Sequence, residues 1–161
     1  MVFKHSFETK FGKMTAYEKN NRLIRLCFDD SYDGILRKTK FLKNVELQLI
    51  EYCEFQRITF DIDIAPEGTE FQRKIWSLLM SIPYGTVCSY KHIAELYGNP
   101  NATRAVGGAN NKNPIMLIIP CHRVIGKNGT LVGYAAGIDI KQQLINHEKI
   151  FKLKGGAVND L

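Results

Sequence analysis

Ile115-Met116-Leu117-Ile118-Ile119-Pro120-Cys121-His122-Arg123-Val124 is the stretch from which the rest of the chain is read. Five apolar residues in a row are too few to cross a bilayer and read as a fully buried strand. Pro120 ends the run, and a thiol, an imidazole and a guanidinium follow directly. A cysteine therefore stands at the end of a buried element, beside a base and a cation. A nucleophilic cysteine needs thiolate character, which such neighbours provide. The plainer reading is an inert buried thiol. Successive side chains on an extended segment point to opposite sides, so direct contact between Cys121 and His122 does not follow, and a bridging water fits.

Downstream, Asp139 and Gln142 look like a helix start, and Ile140, Leu144, Glu148 and Phe151 then share one face. A carboxylate on an apolar stripe is costly without a partner. Glu148 either meets a histidine, which it would orient and keep basic, or reaches solvent at the end of the stripe. Upstream, Thr69 and Gln72 form a capping box for a helix with Phe71, Ile75, Leu78 and Leu79 inside. Pro83-Tyr84-Gly85 turns the chain. A second helix spans about Ser89–Tyr97 and ends at Gly98. Asn99 caps a third, with Pro100 at its first position. Two helices joined by a short turn containing glycine resemble a helix-turn-helix. The third helix, roughly 100–110, carries Ala102, Ala105, Gly107, Gly108 and Ala109, with Arg104 as one long cation among them. Such a face suits a tightly packed helix pair or the close approach of a ligand.

Residues 1–65 read as a small α/β unit. Val2–Phe7, Gly12–Tyr17 and Leu23–Phe28 are short strands separated by turns, one at Asn20-Asn21. A helix follows over Phe41–Phe55, and Asp61–Gly68 reads as a linker. The net charge of +6 is uneven: residues 1–65 hold eleven Lys and Arg against ten Asp and Glu, residues 66–161 eleven against six. A polyanion, nucleic acid first, would meet the second part, although a basic surface also serves solubility. Cys27, Cys53, Cys88 and Cys121 show no metal-ligand spacing and read as free thiols. Met1–Lys10 has scattered charges and no apolar signal segment, which points to the cytoplasm.

Taken together, the motifs resemble the O6-alkylguanine-DNA alkyltransferase family. The resemblance begins at Thr69-Glu70-Phe71-Gln72 and Trp76 and runs through Ile82-Pro83-Tyr84-Gly85-Thr86, Ser89-Tyr90 and Gly98-Asn99-Pro100. It continues through Arg104-Ala105-Val106-Gly107-Gly108-Ala109, Asn113-Pro114 and Ile119-Pro120-Cys121-His122-Arg123-Val124. It closes on Gly133-Tyr134 and His147-Glu148. It covers about residues 66–151; the first 65 match only in size and α/β character.

The resemblance implies an α+β fold. A small N-terminal α/β domain (1–65), a three-stranded antiparallel sheet plus helix of ribonuclease H-like type, would pack on a mostly helical C-terminal domain (66–161) with the helix-turn-helix. It implies repair of O6-alkylguanine, and of O4-alkylthymine, in one irreversible transfer to Cys121. His122 would be the base, acting through a water, and Glu148 would orient it. Asn113 would tie the helix-turn-helix to the cysteine segment, and Tyr90 would donate to the leaving guanine. Arg104 would fill the gap left by a flipped nucleotide, with Ala102, Ala105, Gly107 and Tyr90 against the minor groove. Val124, Tyr134, Ala135 and Ala136 would line the alkylguanine pocket. The partner would be double-stranded DNA, the protein a monomer, and no cofactor or metal would be needed. Relatives with a hydroxyl residue after the tyrosine gain a side-chain donor there; Ala135 offers only its N–H. The zinc ligands of some members have no match here. Related proteins that lack the cysteine only sense lesions, and Cys121 argues against that role. A DNA-binding module without chemistry leaves Cys121, His122 and Glu148 unexplained, and a cysteine hydrolase leaves the helix-turn-helix unexplained.

Overall fold

Asn20 and Asn21 both take positive φ, 54° and 58°, the backbone sign that a two-residue turn between antiparallel strands favours. They join β2 (Gly12–Lys19) to β3 (Arg22–Cys27), and Lys10-Phe11 joins β1 (Val2–Thr9) to β2. The computed structural model describes residues 1–153; residues 154–161 of the expected C-terminal part lie outside the described residues. The sheet has four strands, not the three expected. β4 (Ile35–Leu36) runs parallel to β1, in the order β3-β2-β1-β4. Two residues after Gly34 are too short a run to show alternation, which is why the sequence does not announce them.

Helix α1 (Lys40–Cys53) starts at Thr39, whose hydroxyl accepts from the Leu42 N–H and donates to the buried Glu18 carboxylate. It lays Leu42, Val45, Leu49 and Tyr52 against β1 and β2. The outer edge of β3 is closed by two single bridges. One comes from the segment expected to be a linker: Leu23 N–H donates to Asp63 O (2.9 Å) and Ala65 N–H to Leu23 O (2.8 Å). The other comes from the cysteine-bearing stretch: Leu26 N–H donates to Pro114 O (2.8 Å) and Met116 N–H to Leu26 O (2.9 Å). The expected strand Ile115–Ile119 is therefore a correction. All five residues are buried, but only Ile115 pairs with a strand. β3 ends one residue past Leu26, and Leu117 adopts φ of 70°, turning the chain back so that Ile119 N–H reaches Ile115 O at 3.1 Å.

The second half begins with α2 (Glu70–Leu79), whose capping box between Thr69 and Gln72 is present. β5 (Cys88–Ser89) leads into α3 (Tyr90–Tyr97), which ends on Gly98 at φ 98°. A 3-10 turn over Pro100–Ala102, capped by Asn99, opens α4 (Thr103–Asn111). β6 (Val124–Ile125) pairs in parallel with β5, Cys88 against Val124. That pairing brings the start of α3 beside the residues following Cys121. The last element is α5 (Ile138–Leu153). One hydrophobic cluster runs through both halves, from Leu26, Leu49 and Tyr52 to Ile75, Leu79, Ile93, Val106, Ile115 and Leu144.

Trp76 ties α2 to α4: its ring is buried and its Nε1–H donates to Ala109 O at 2.9 Å. Gly68 makes room for that ring. A Cβ at residue 68 would lie 2.7 Å from both Trp76 Cζ3 and Gln72 Oε1, too close without moving the indole or breaking the capping box. Gly68→Ala is expected to lower unfolding free energy by about 1–3 kcal/mol, the usual cost of overpacking. Denaturant unfolding followed by Trp76 fluorescence measures this, and an unchanged midpoint would refute the fit.

Candidate active site

Cys121 does not sit at the end of a strand. It opens a 3-10 turn over Cys121–Arg123, held by Cys121 N–H on Ile119 O (2.8 Å) and Arg123 N–H on Pro120 O (3.0 Å). The alternation expected of an extended segment does not apply, and all three side chains are buried. Two asparagines hold the turn. Asn113 donates through Nδ2 to Ile119 O (2.7 Å) and accepts the Ile115 N–H (2.9 Å), spanning the buried bend. Asn110, on α4, donates to the Cys121 carbonyl at 3.3 Å. Asn113, two residues past α4, thus bridges the bend before Cys121, and Asn110, which sequence reasoning missed, ties α4 itself to the Cys121 carbonyl.

Glu148 is 1% exposed, so its carboxylate does not reach solvent. It is surrounded by donors: His122 Nε2 at 2.7 Å and Tyr52 Oη at 2.6 Å on Oε2, Arg123 Nε at 2.8 Å and the Gly85 N–H at 3.2 Å on Oε1. Arg123 Nη2 also reaches Oε2 at 3.0 Å, and its Nη1 donates to Ile82 O at 2.7 Å. Burial alone would raise the Glu148 carboxyl; the His122 ring and the Arg123 guanidinium overturn that and hold it well below the usual carboxylate range. His122 is moved the other way. Burial lowers its pKa against the opposing pull of Glu148. Arg123 already supplies the counter-charge to Glu148, so the imidazole is neutral. With Nε2 carrying its proton toward Glu148, Nδ1 is left as a base, buried and without a hydrogen-bond partner among the described residues.

The Cys121 thiol is 2% exposed. Burial pushes its pKa up to about 11, with Asn113 and Lys141 pulling the other way. Thiol and imidazole are thus both neutral near pH 7, one an acid and the other a base. Lys141 was missed at the sequence level, where lysine reads as surface. It lies fully inside on α5, its pKa lowered by burial to about 8 while the nearby Cys121 opposes the shift. Its Nζ donates to Val132 O (2.9 Å) and toward Tyr90 Oη (3.5 Å).

Tyr90, the first residue of α3, donates its hydroxyl proton to Val132 O at 3.0 Å. Burial, then the nearness of Cys121, raises its pKa, so it keeps that proton. Val124 and Tyr134 are buried, and the Tyr134 hydroxyl has no partner among the described residues. Ala135 and Ala136 are exposed and half-buried, in an open cleft with Asn111, Gly133, Tyr134 and Ile138. On α4, Arg104, Ala105 and Gly108 face solvent, Gly107 is half-buried, and Val106 and Ala109 are inside; Ala102, in the preceding 3-10 turn, is half-buried. A Cβ at Gly108 would meet nothing within 4 Å, so glycine there leaves an open surface rather than a tight helix contact. Among the described residues no group of three His, Cys, Asp or Glu converges as a metal site.

The structure thus brings Cys121, His122, Glu148, Asn113 and Tyr90 to one place, with Arg104 on a separate outer face. Residues 70–150 match the family model described as 6-O-methylguanine DNA methyltransferase, DNA binding domain. The constitutive methylated-DNA–protein-cysteine methyltransferase of Bacillus subtilis is 40% identical, with 93% of this chain and 97% of that protein covered. The Methanosarcina acetivorans protein of the same name is 50% identical over 72% of this chain and 74% of its own length. The crystal structure of Mycobacterium tuberculosis O6-methylguanine methyltransferase superposes with a TM-score of 0.87 at 35% identity, covering 99% of this chain and 97% of that one. A Mycobacterium tuberculosis OGT crystallised in complex with DNA gives 0.86, also at 35% identity, over 92% and 93%. With a fold shared across nearly its whole length, and sequence identity at this level, the chain belongs to the methylated-DNA–protein-cysteine methyltransferase family.

Proposed function

We propose that this protein repairs O6-alkylguanine in DNA, and O4-alkylthymine, by moving the alkyl group onto Cys121 in a single irreversible turnover. One observation carries the reading: His122 is held by Glu148 at 2.7 Å through Nε2 while Nδ1, in the same turn as the Cys121 thiol, is free to accept a proton. The thiol proton passes through a bridging water to His122 as Cys121 Sγ attacks the alkyl carbon. The carbon–O6 bond breaks and the electron pair leaves on guanine. Tyr90 donates to the departing base, after giving up its bond to Val132 O. Asn113 and Asn110 keep the turn in place.

The O6-alkyl carbon cannot be reached in line inside a duplex, so the nucleotide must be flipped out. The α3–turn–α4 unit is the DNA-binding element, a helix-turn-helix entering the minor groove. Its small face at Ala102, Ala105 and Gly107 allows close approach, and the exposed Arg104 fills the vacated stack. Tyr134 packs on the flipped base, backbone groups near Val124 read its edge, and Ala135 and Ala136 border the pocket. Functionally the chain divides near residue 65, with recognition and chemistry in the second part and a ribonuclease H-like first part. The protein acts as a monomer in the cytoplasm. A cysteine hydrolase turns over through a thioester whose carbonyl water can attack; the thioether left by alkyl transfer has no such carbonyl.

Two measurements test this. Incubation with a duplex containing O6-methylguanine should add one methyl group, mapped to Cys121 and capped at one equivalent; Cys121→Ser should gain nothing while keeping its DNA affinity. A folded, DNA-binding protein that gains no mass would sink the proposal. Arg104→Ala should slow transfer from duplex on the order of tenfold or more, since part of the few kcal/mol of unstacking is no longer offset. Its reaction with the free O6-methylguanine base should be unchanged. Equal slowing of both would remove Arg104 from the flipping step.

A further inference from the structure

Tyr52 lies 96 residues from Glu148 in sequence, on the helix of the first half. Its side chain is fully buried and its hydroxyl reaches Glu148 Oε2 at 2.6 Å. That is the same oxygen that His122 Nε2 uses at 2.7 Å. We propose that Tyr52 is a positioning residue for the transfer: its hydroxyl, by sharing one Glu148 oxygen with His122, sets how basic the His122 ring is. This rests on the reading of His122 as the base.

The chemistry follows from competition at one acceptor. Each donor on a carboxylate oxygen draws off negative charge and weakens what is left for the next. Tyr52 therefore makes Glu148 a milder partner for an imidazolium and keeps His122 neutral before reaction. Burial, then the Glu148 charge, raises the Tyr52 pKa well above its ordinary value, so the hydroxyl stays a donor throughout.

Aromatic side chains from four segments pack on the Tyr52 ring and fix its position. Phe11 of the β1–β2 turn, Phe60 beyond α1, Tyr84 of the turn before β5 and His147 of α5 pack on the ring, with centroids 5.0–6.5 Å away. His147, the residue before Glu148, accepts or donates at both nitrogens: Nε2 lies 2.9 Å from Tyr52 O and Nδ1 3.0 Å from Lys10 Nζ. A lysine can only donate, so Nδ1 accepts and Nε2–H donates to Tyr52. Phe55 takes φ of 60°, unusual for an aromatic residue, and so stacks on His147 at 4.1 Å. The charged and titratable groups around Tyr52 and Glu148 are thus His122, Arg123, Tyr84 and His147, with Lys10 behind His147; the His122 ring also feels Lys141 of α5, which opposes its protonation as Arg123 does.

The test is the pH dependence of His122, read twice: by the titration of its ring nitrogens in the resting protein, and by the acid limb of the single-turnover transfer rate. Tyr52→Phe removes one donor from Oε2, so both should move up by about half a unit to one unit. Replacing Tyr52 with 3-fluorotyrosine, a more acidic and stronger donor of nearly the same shape, should move both down. Phe60→Leu loosens the packing on the same ring without touching the hydroxyl; it should lower the melting temperature and leave both midpoints alone. Opposite shifts for the two hydroxyl changes establish the role. Unmoved midpoints in the fluorotyrosine protein, or shifts that merely follow stability across all three, overturn it. The ring titration uses no DNA, so its failure is separate from a failure of Cys121 to gain a methyl group.

Discussion

A carboxylate taken out of water must find enough donors to replace the solvent it lost, or it takes up a proton. Glu148 finds five, from His122, Tyr52, the Gly85 backbone and two nitrogens of Arg123. The guanidinium matters most, because it cannot lose its proton. Glu148 and Arg123 together are already neutral, so a third charge on His122 has no buried partner waiting for it. The imidazole therefore rests uncharged, and in the proposed transfer it becomes an imidazolium only when negative charge grows on Cys121 or its reaction partner. Were Arg123 absent, His122 would be the sole counter-ion of a buried carboxylate and would hold its proton before the reaction began. The base would then be spent.

The rest of the fold can be read as the means of delivering those five donors. α5 carries Glu148, with His147 beside it. The Pro83–Gly85 turn presents a backbone N–H because Gly85 takes φ of 76°. Arg123 and His122 share one 3-10 turn, fixed by two asparagines. Tyr52 arrives from α1, and α1 is held on a sheet whose outer edge is closed by the segment leading into that turn. The halves meet through the backbone bridge from Leu26 to Pro114 and Met116, through the Tyr52 hydroxyl on Glu148, and through His147, which bonds both Lys10 and the Tyr52 carbonyl. That arrangement explains why the hydrophobic cluster does not stop at residue 65.

How much of this was legible depends on sequence separation and residue type. Short-range signals were clear: the capping box at Thr69 and Gln72, the Gly98 cap, the Asn20-Asn21 turn and the stripe holding Glu148. Cys121 and His122 stand out in the sequence because a thiol and an imidazole are adjacent, but the geometry between them does not follow from it. A run of five apolar residues gives burial without saying whether it extends or turns, and here Asn113 and the end of β3 decide for a turn. β4 is too short to leave a pattern. Tyr52 is invisible from the sequence because an aromatic on an apolar stripe reads as core, and nothing local tells which hydroxyl will find a carboxylate 96 residues away. Lys141 sits three and seven residues before Leu144 and Glu148, on their face, but lysine normally marks the opposite one.

The burial that protects the cluster also shapes the chemistry of Cys121. A thiol pushed up to about 11 is almost never ionised at neutral pH, which would defeat a free cysteine. Two consequences offset that. Thiolate nucleophilicity rises with pKa, and in the proposed mechanism His122, held neutral until needed, removes the proton as the bond forms, so no standing thiolate is required. The same burial works against reversal. Expelling a thiolate from a thioether requires it to carry charge where burial makes charge least welcome. A site tuned for transfer by withholding charge from the resting cysteine is, for that reason, a site that cannot release the alkyl group again. Single use is then a property of the environment that makes the attack possible, rather than a part the protein lacks.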